Sequence, residues 1–173
     1  MVEVLDFLAS AVEMAATGKG YLDAEAAMTK QEERGRIEEF QGEYRFLSNF
    51  YPCAVKFDGQ FYPTVEHAYQ AAKTYDKAAQ NVIRQAEKPG QAKRLGRRVT
   101  LRPDWERVKE SVMIGLLRQK FSEPVLQKRL LATGQRELIE GNDWNDTYWG
   151  VCRGRGENKL GKLLMEVRKE LQP

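Results

Sequence analysis

The segment Arg45–Lys73, RFLSNFYPCAVKFDGQFYPTVEHAYQAAK, constrains this chain more than any other stretch of it. It concentrates the only histidine and four of the seven phenylalanines of the 173-residue chain. Ala54–Phe57, Asp58-Gly59 and Gln60–Tyr62 read as a β-hairpin, because Asp-Gly supplies the two positive-φ positions of a type I′ turn. Pro63 ends the hairpin, and Thr64 is a good N-cap for a helix running from Val65 to about Asp76. Val65, Ala68, Ala72 and Tyr75 form the apolar stripe of that helix. Glu66, Gln70 and Lys73 recur at steps of four and three on a different stripe. An acid and a base on one stripe, beside a cluster of rings, suit a pocket for a flat polar ligand better than a core. The plain alternatives are a Glu66 favoured by the helix dipole, worth about 0.3–1 kcal/mol, and a Lys73 that is a surface lysine. His67 follows Glu66 directly, about 100° of helix rotation away, and is expected to pack or orient neighbours rather than act as a base.

Around this segment the chain reads as mainly helical. Val4, Leu5, Leu8 and Val12 recur at helical spacing up to about Met14, and a second helical stretch spans Asp23 to Glu33. Neither carries chemistry. Ile37 to Phe61 reads as extended. A helix follows from Ala78 to about Glu87, ended by Lys88-Pro89-Gly90, and the basic segment QAKRLGRR leads to Pro103-Asp104. There a long helix starts, reaching Phe121 with Trp105, Val108, Val112, Leu116 and Lys120 along one side. Trp105 and Leu116 read as core. Val125–Thr133 is a further helix closed by Gly134, Arg136–Glu140 a short strand, and Glu157 to about Leu171 a last helix with Leu160, Leu163, Leu164 and Val167 inward.

The second informative stretch, Gly141–Arg168, alternates Asn142, Asp143, Asn145 and Asp146 with Trp144, Tyr148 and Trp149. Gly150, Gly154 and Gly156 then precede the last helix, an arrangement that brings backbone N–H groups toward a phosphate, with Arg153 and Arg155 as charge partners or merely loop charges. The spacing matches neither the P-loop nor the dinucleotide fingerprint.

Charge narrows the ligand. Residues 1–40 hold four Lys/Arg against nine Asp/Glu, a net of −5, so the remaining 133 residues sum to +8. Arg84–Lys120 alone carries eleven basic and four acidic side chains, which suits a phosphate-bearing ligand or nucleic acid as well as a solvated face. Two cysteines and one histidine provide neither a disulfide framework nor a zinc cluster, so no metal and no cofactor are expected. No apolar run approaches the ~20 residues of a membrane span. The N-terminus carries Glu3 and Asp6 and no early basic residue, so a secretory signal is not expected and a cytoplasmic location is. There is no G-x-S-x-G elbow and no second histidine to serve a cysteine, which leaves a carboxylate-based site.

FxGxYRFLSNFYP from Phe40, TVEHAYQAAK from Thr64, NDTYWG from Asn145 and GENKLGKLLMEVR from Gly156 resemble the YbiA-like, or NADAR, superfamily. The resemblance covers residues 37–171 in order, KRLGRR and DWERVKESVM included, and leaves an N-terminal extension over 1–36 and a domain over 37–173. It implies a mainly α fold, a single-domain orthogonal helical arrangement with a small β-hairpin element. It also implies N-glycoside hydrolysis: cleavage of a phosphorylated ribose from a base, either ADP-ribose from guanine in nucleic acid or nucleotide, or ribose 5-phosphate from a riboflavin-pathway aminopyrimidine. The implied catalytic residues are Glu66, Lys73 and Asp146. Glu66 stabilises positive charge at the anomeric carbon and activates water, and Lys73 binds phosphate or attacks the sugar as an amine. Arg45, Ser48, Asn49, Phe50, Tyr69, Gln70, Trp149, Gly150 and Asn158 are the implied substrate contacts, with a helix cap as the alternative for Asn158. The chain departs from the family pattern at Val151-Cys152-Arg153, after Trp149-Gly150. Two other classes compete: a non-catalytic ADP-ribose or NAD-binding module, and a plain nucleic-acid-binding protein.

Overall fold

The computed structural model describes residues 35–172. The two helices expected between Val4 and Glu33 lie outside the described residues. The described chain is mainly helical, with three two-stranded ladders. Strand β1 (Arg36–Ile37) pairs in parallel with β4 (Glu137–Leu138), β2 (Val55–Phe57) pairs with β3 (Gln60–Tyr62), and β5 (Gly141–Asn142) pairs in parallel with β6 (Val151–Cys152). The β2–β3 hairpin is the one the sequence predicts, with both turn residues, Asp58 and Gly59, at positive φ. The extended reading of Ile37 to Phe61 fails between its ends. Gly42–Leu47 is a 3-10 helix that buries Phe46 and Leu47, where the sequence reads as extended.

Helix starts follow local chemistry. Thr64 caps α1 (Val65–Ala71) by accepting the His67 N–H, and Asp76 caps α2 (Lys77–Arg84) by accepting those of Ala78 and Ala79. Glu123 caps α5 (Pro124–Leu131) through the N–H groups of Val125 and Leu126. Asp104, ahead of α4 (Trp105–Lys120), caps nothing, since both its oxygens are held by Arg102 at 2.6 and 2.9 Å. The last helix, α6, runs Lys159–Glu170.

Two expectations need correction. The helix from Val65 ends at Ala71 rather than near Asp76, so Tyr75 leaves the apolar stripe, lies exposed and stacks under the Arg102 guanidinium. The basic segment after Pro89-Gly90 is not a connector but a helix, α3 (Pro89–Gly96), with Pro89 in its first turn. Helix α1 is the hub. It packs against α2, α3, α4 and the hairpin, while α4 packs against α6. Val65, Ala68, Ala71 and Ala72 are fully enclosed among Leu47, Ile83, Ala92, Leu116, Leu117 and Leu164. With its small residues turned into the core, α1 lets its neighbours approach closely and leaves Glu66, Tyr69 and Gln70 facing a cleft between α3, α4 and the chain before α6.

Candidate active site

That cleft is a cavity of about 360 Å³. Its walls come from Ser48, Asn49 and Phe50 after the 3-10 helix, Glu66, Tyr69, Gln70 and Lys73 from α1 and its exit, and Asp146 and Trp149 from the loop between β5 and β6. The structure therefore brings together Glu66, Lys73, Asp146 and six of the expected substrate contacts, which lie up to about 100 positions apart in the chain.

Glu66 is 5% exposed and accepts a hydrogen bond from Gln70 Nε2 at 2.8 Å. Burial pushes its carboxyl above the usual carboxylate range, while Lys93, the Gln70 hydrogen bond and Lys73 pull it back. Burial lowers the Lys73 amine, which the Glu66 charge offsets and Lys93 and Arg97 reinforce. Lys73 Nζ lies 5.7 Å from the centre of the Tyr69 ring. Tyr69 in turn sits between Trp105 and Trp149, with ring centres 5.1 and 5.4 Å away, and Tyr148 continues the array at 5.1 Å from Trp149. Such an array presents rigid apolar faces and edges to a planar ligand. Burial raises the Tyr69 hydroxyl, and the Glu66 charge adds to it.

Asp146 has one oxygen already committed. Its Oδ1 accepts the Trp149 N–H at 2.9 Å, and Asn142 grips its backbone from both sides. His67 points away from the cavity: Nε2 donates to Ala86 O at 3.1 Å and Thr64 Oγ1 lies 2.8 Å from Nδ1. With one ring nitrogen donating to a carbonyl and burial lowering its pKa, the imidazole is neutral and orients two segments.

Three expected contacts stand elsewhere. Arg45 is exposed and lines an adjoining cavity of about 330 Å³, which shares Ser48, Phe50, Glu140 and Trp144 with the first. Gly150 is buried against the backbone: a Cβ there would overlap Glu140 O. Asn158 precedes α6 in the left-handed region without capping it; its Oδ1 accepts the Glu140 N–H at 3.1 Å and its Nδ2 donates to Leu138 O at 2.9 Å. Arg153 belongs to a separate depression with Arg36, Glu38 and Asn142. The glycines before α6 serve tight turns, Gly154 and Gly156 at positive φ, rather than the cavity.

The cavity also contains residues the sequence did not single out as contacts: Lys93 and Arg97 from α3, Trp105, Glu106, Lys109 and Met113 from α4, and Glu140, Trp144 and Tyr148. Lys93 and Arg97 are one helical turn apart, and among the described residues neither forms an ion pair. Lys93 Nζ lies 5.9 and 5.6 Å from the Phe50 and Trp144 ring centres. The signal for this pair was Pro89, a residue that starts helices as readily as it follows them. Trp105 is both core and wall, 5% exposed yet lining the cavity. Asn49 Oδ1, Gln70 Oε1 and Glu140 Oε2 are the buried side-chain atoms that lack a hydrogen-bond partner among the described residues, and all three residues line this cavity. No group of three or more His, Cys, Asp or Glu among the described residues is arranged to hold a metal ion.

The model of the NADAR domain family matches residues 37–172. N-glycosidase YbiA of Escherichia coli is 44% identical over 133 residues, covering 75% of this chain and 82% of that one. An N-glycosidase of Nostoc punctiforme is 38% identical over 136 residues, covering 75% and 86%. A riboflavin biosynthesis protein of Vibrio vulnificus is 43% identical over 131 residues, 73% of this chain but 35% of that longer one. The NMR structure of E. coli YbiA superposes with a TM-score of 0.70 at 41% identity, over 80% of this chain and 86% of that one.

Proposed function

The chain belongs to the NADAR family as an N-glycosidase, and from that premise we propose that its cavity cleaves ADP-ribose from a guanine base in nucleic acid or nucleotide. One observation carries the choice of substrate: the cavity holding Glu66 adjoins a second, Arg45-bearing cavity, the two having four lining residues in common. On this reading the second cavity takes the diphosphate and second nucleoside, which a ribose 5-phosphate lacks. Lys93 and Arg97, which form no ion pair among the described residues, suit the phosphates, and Phe50, Trp144 and Trp149 suit the base.

The chemistry follows from the polar groups. Departure of the base leaves positive charge on C1′ and the ring oxygen, and the Glu66 carboxylate, buried and fixed by Gln70, is worth far more there than in water. A carboxyl raised above its ordinary range is also a stronger base toward the attacking water. Lys73 lies beside Glu66 and as a cation favours its ionised form; burial lowers the Lys73 amine, the direction that would help it attack the sugar, and borohydride added during turnover tests for the resulting imine.

The decisive experiment supplies ADP-ribosylated guanine DNA and, separately, the ribosylaminopyrimidine phosphate. ADP-ribose release is expected from the first, with Glu66→Gln still binding it while turnover falls by about 10²–10⁴-fold. Release of ribose 5-phosphate alone would shift the assignment to the aminopyrimidine. Unchanged affinity with no turnover in the parent protein would make it a binding module.

A further inference from the structure

We propose that Glu140 is the general acid that protonates the departing base, an inference that rests on the N-glycosidase reading above. Its placement carries the argument. Glu140 lines both adjoining cavities, one of the four residues they have in common, and its Oε2 is buried with no hydrogen-bond partner among the described residues. A buried carboxyl oxygen without a donor is held in a state that only a ligand or a bound proton completes.

The backbone around it is immobilised from three directions. Asn158 Oδ1 accepts its N–H at 3.1 Å, the Val151 N–H donates to its carbonyl at 2.8 Å, and the absence of a side chain at Gly150 gives that carbonyl its seat. Gly150 and Asn158 thus reach the chemistry through Glu140 and are positioning residues. That explains why they sit within the second informative stretch without touching the cavity.

The division of labour between the acids follows from their partners. Glu66 receives a hydrogen bond from Gln70 and faces Lys93 and Lys73, all of which favour its ionised form. Glu140 Oε2 receives none among the described residues. Burial first, then the Asp146 charge, raise its carboxyl to about 7; Glu66 adds to this, while Lys93 and Lys120 oppose it. Like-charged carboxyls sharing a site do not all ionise together, and the one without a donor keeps the proton. In the reaction the C1′–N bond breaks and its electron pair goes to the base nitrogen, which takes the Glu140 proton. Water forms the new C1′–O bond and gives its proton to Glu66. Exchange with solvent returns Glu66 to the carboxylate and Glu140 to the acid.

The test compares two leaving groups on the same ADP-ribose: guanine, which needs a proton to depart, and 4-nitrophenolate, which does not. Glu140→Gln should lose about 10²–10⁴-fold in kcat on the guanine substrate and less than about 10-fold on the nitrophenyl one. Equal losses on both would overturn the proposal and leave Glu140 a structural residue. Should the variant fail to fold, the parent protein decides. Its rate on the guanine substrate should fall above about pH 7 with a limb absent for the nitrophenyl substrate, since Lys73 and Lys120 titrate alike for both. A limb common to both substrates would overturn it. A parent protein that cleaves neither guanine nor aminopyrimidine from its ribose phosphate would instead refute the functional reading itself.

Discussion

Lys120 ends the longest described helix with its amine inside the protein rather than in water. Its side chain is fully enclosed, Nζ donates to Ser48 O at 2.7 Å, and the Tyr51 and Phe121 rings lie 5.6 and 5.2 Å from it. The amine thereby ties the end of α4 to the loop that brings Ser48, Asn49 and Phe50 to the cavity. Burial lowers its pKa to about 7, with Cys53 and Glu140 pulling it up. The sign for stability follows. Between pH 7 and 10.5 the unfolded chain holds a proton on this lysine that the folded chain has lost, so folding is favoured as pH rises through that window. The contribution approaches about 1.4 kcal/mol per pH unit. Glu140, raised, acts in the opposite sense, stabilising the fold at low pH and losing that contribution as pH rises from 4.5 to about 7. Urea unfolding at unit steps from pH 7 to 10 should show the Lys120→Met protein missing the rise that the parent displays. A variant with the parent slope would contradict the assignment.

At the scale of elements, α3 is where the site was least visible. Its sequence is polar and ends in glycine, and Pro89-Gly90 reads locally as a terminator. Yet Pro89 occupies a first-turn position, where its missing N–H costs nothing. Packing explains the glycine at its far end. A Cβ at Gly96 would overlap Gln70 Oε1 and crowd its Cβ and Cδ, so α3 approaches α1 only because Gly96 has no side chain. Gln70 is the residue that holds Glu66, which makes this a contact between helix packing and chemistry. Gly96→Ala is expected to cost about 1–3 kcal/mol of stability through overpacking. It should lower turnover further than that loss of folded protein explains, because Gln70 must leave Glu66. Thermal unfolding and kcat measured on one preparation check both parts; a destabilised variant with parental kcat would separate Gln70 from catalysis. The other elements were easier to read. Thr64, Asp-Gly at 58–59 and the leucines of α6 act through neighbours in sequence, and each does in the structure what its local chemistry requires.

For the whole molecule, the boundary near residue 36 has physical content. Arg36 and Ile37 form the strand that pairs with β4, and Ile37 is 3% exposed. We propose that the domain is an autonomous folding unit that starts with β1 at Arg36, the residues before it being an extension. A chain beginning at Gly35 should keep its melting temperature and turnover. One beginning at Phe40 removes Ile37 and the β1–β4 ladder, and should lose about 2–5 kcal/mol, the range for emptying a buried aliphatic site. Equal stability of the two truncations would contradict the role given to β1.

By itself the sequence determined the helical class, the hairpin, the Thr64 start of α1 and the placing of Glu66 and Gln70 one turn apart on it, because each depends on spacing, capping or turn chemistry within about a dozen residues. It also marked Asp146 and Trp149 in the second stretch. Only the tertiary structure decided what stands opposite Glu66 and Gln70. Lys93 and Arg97 arrive through the α1–α3 contact, Trp105 and Lys109 through α4, and Glu140 through a parallel two-strand ladder and an asparagine 18 positions later. Such pairings join residues with no periodic or motif relation, and a lone acid or lysine looks the same on a solvated face as in a cavity wall. The roles of Gly150 and Asn158 changed for the same reason. Their chemistry is directed at the backbone of Glu140, and that backbone comes within reach only when the chain is folded.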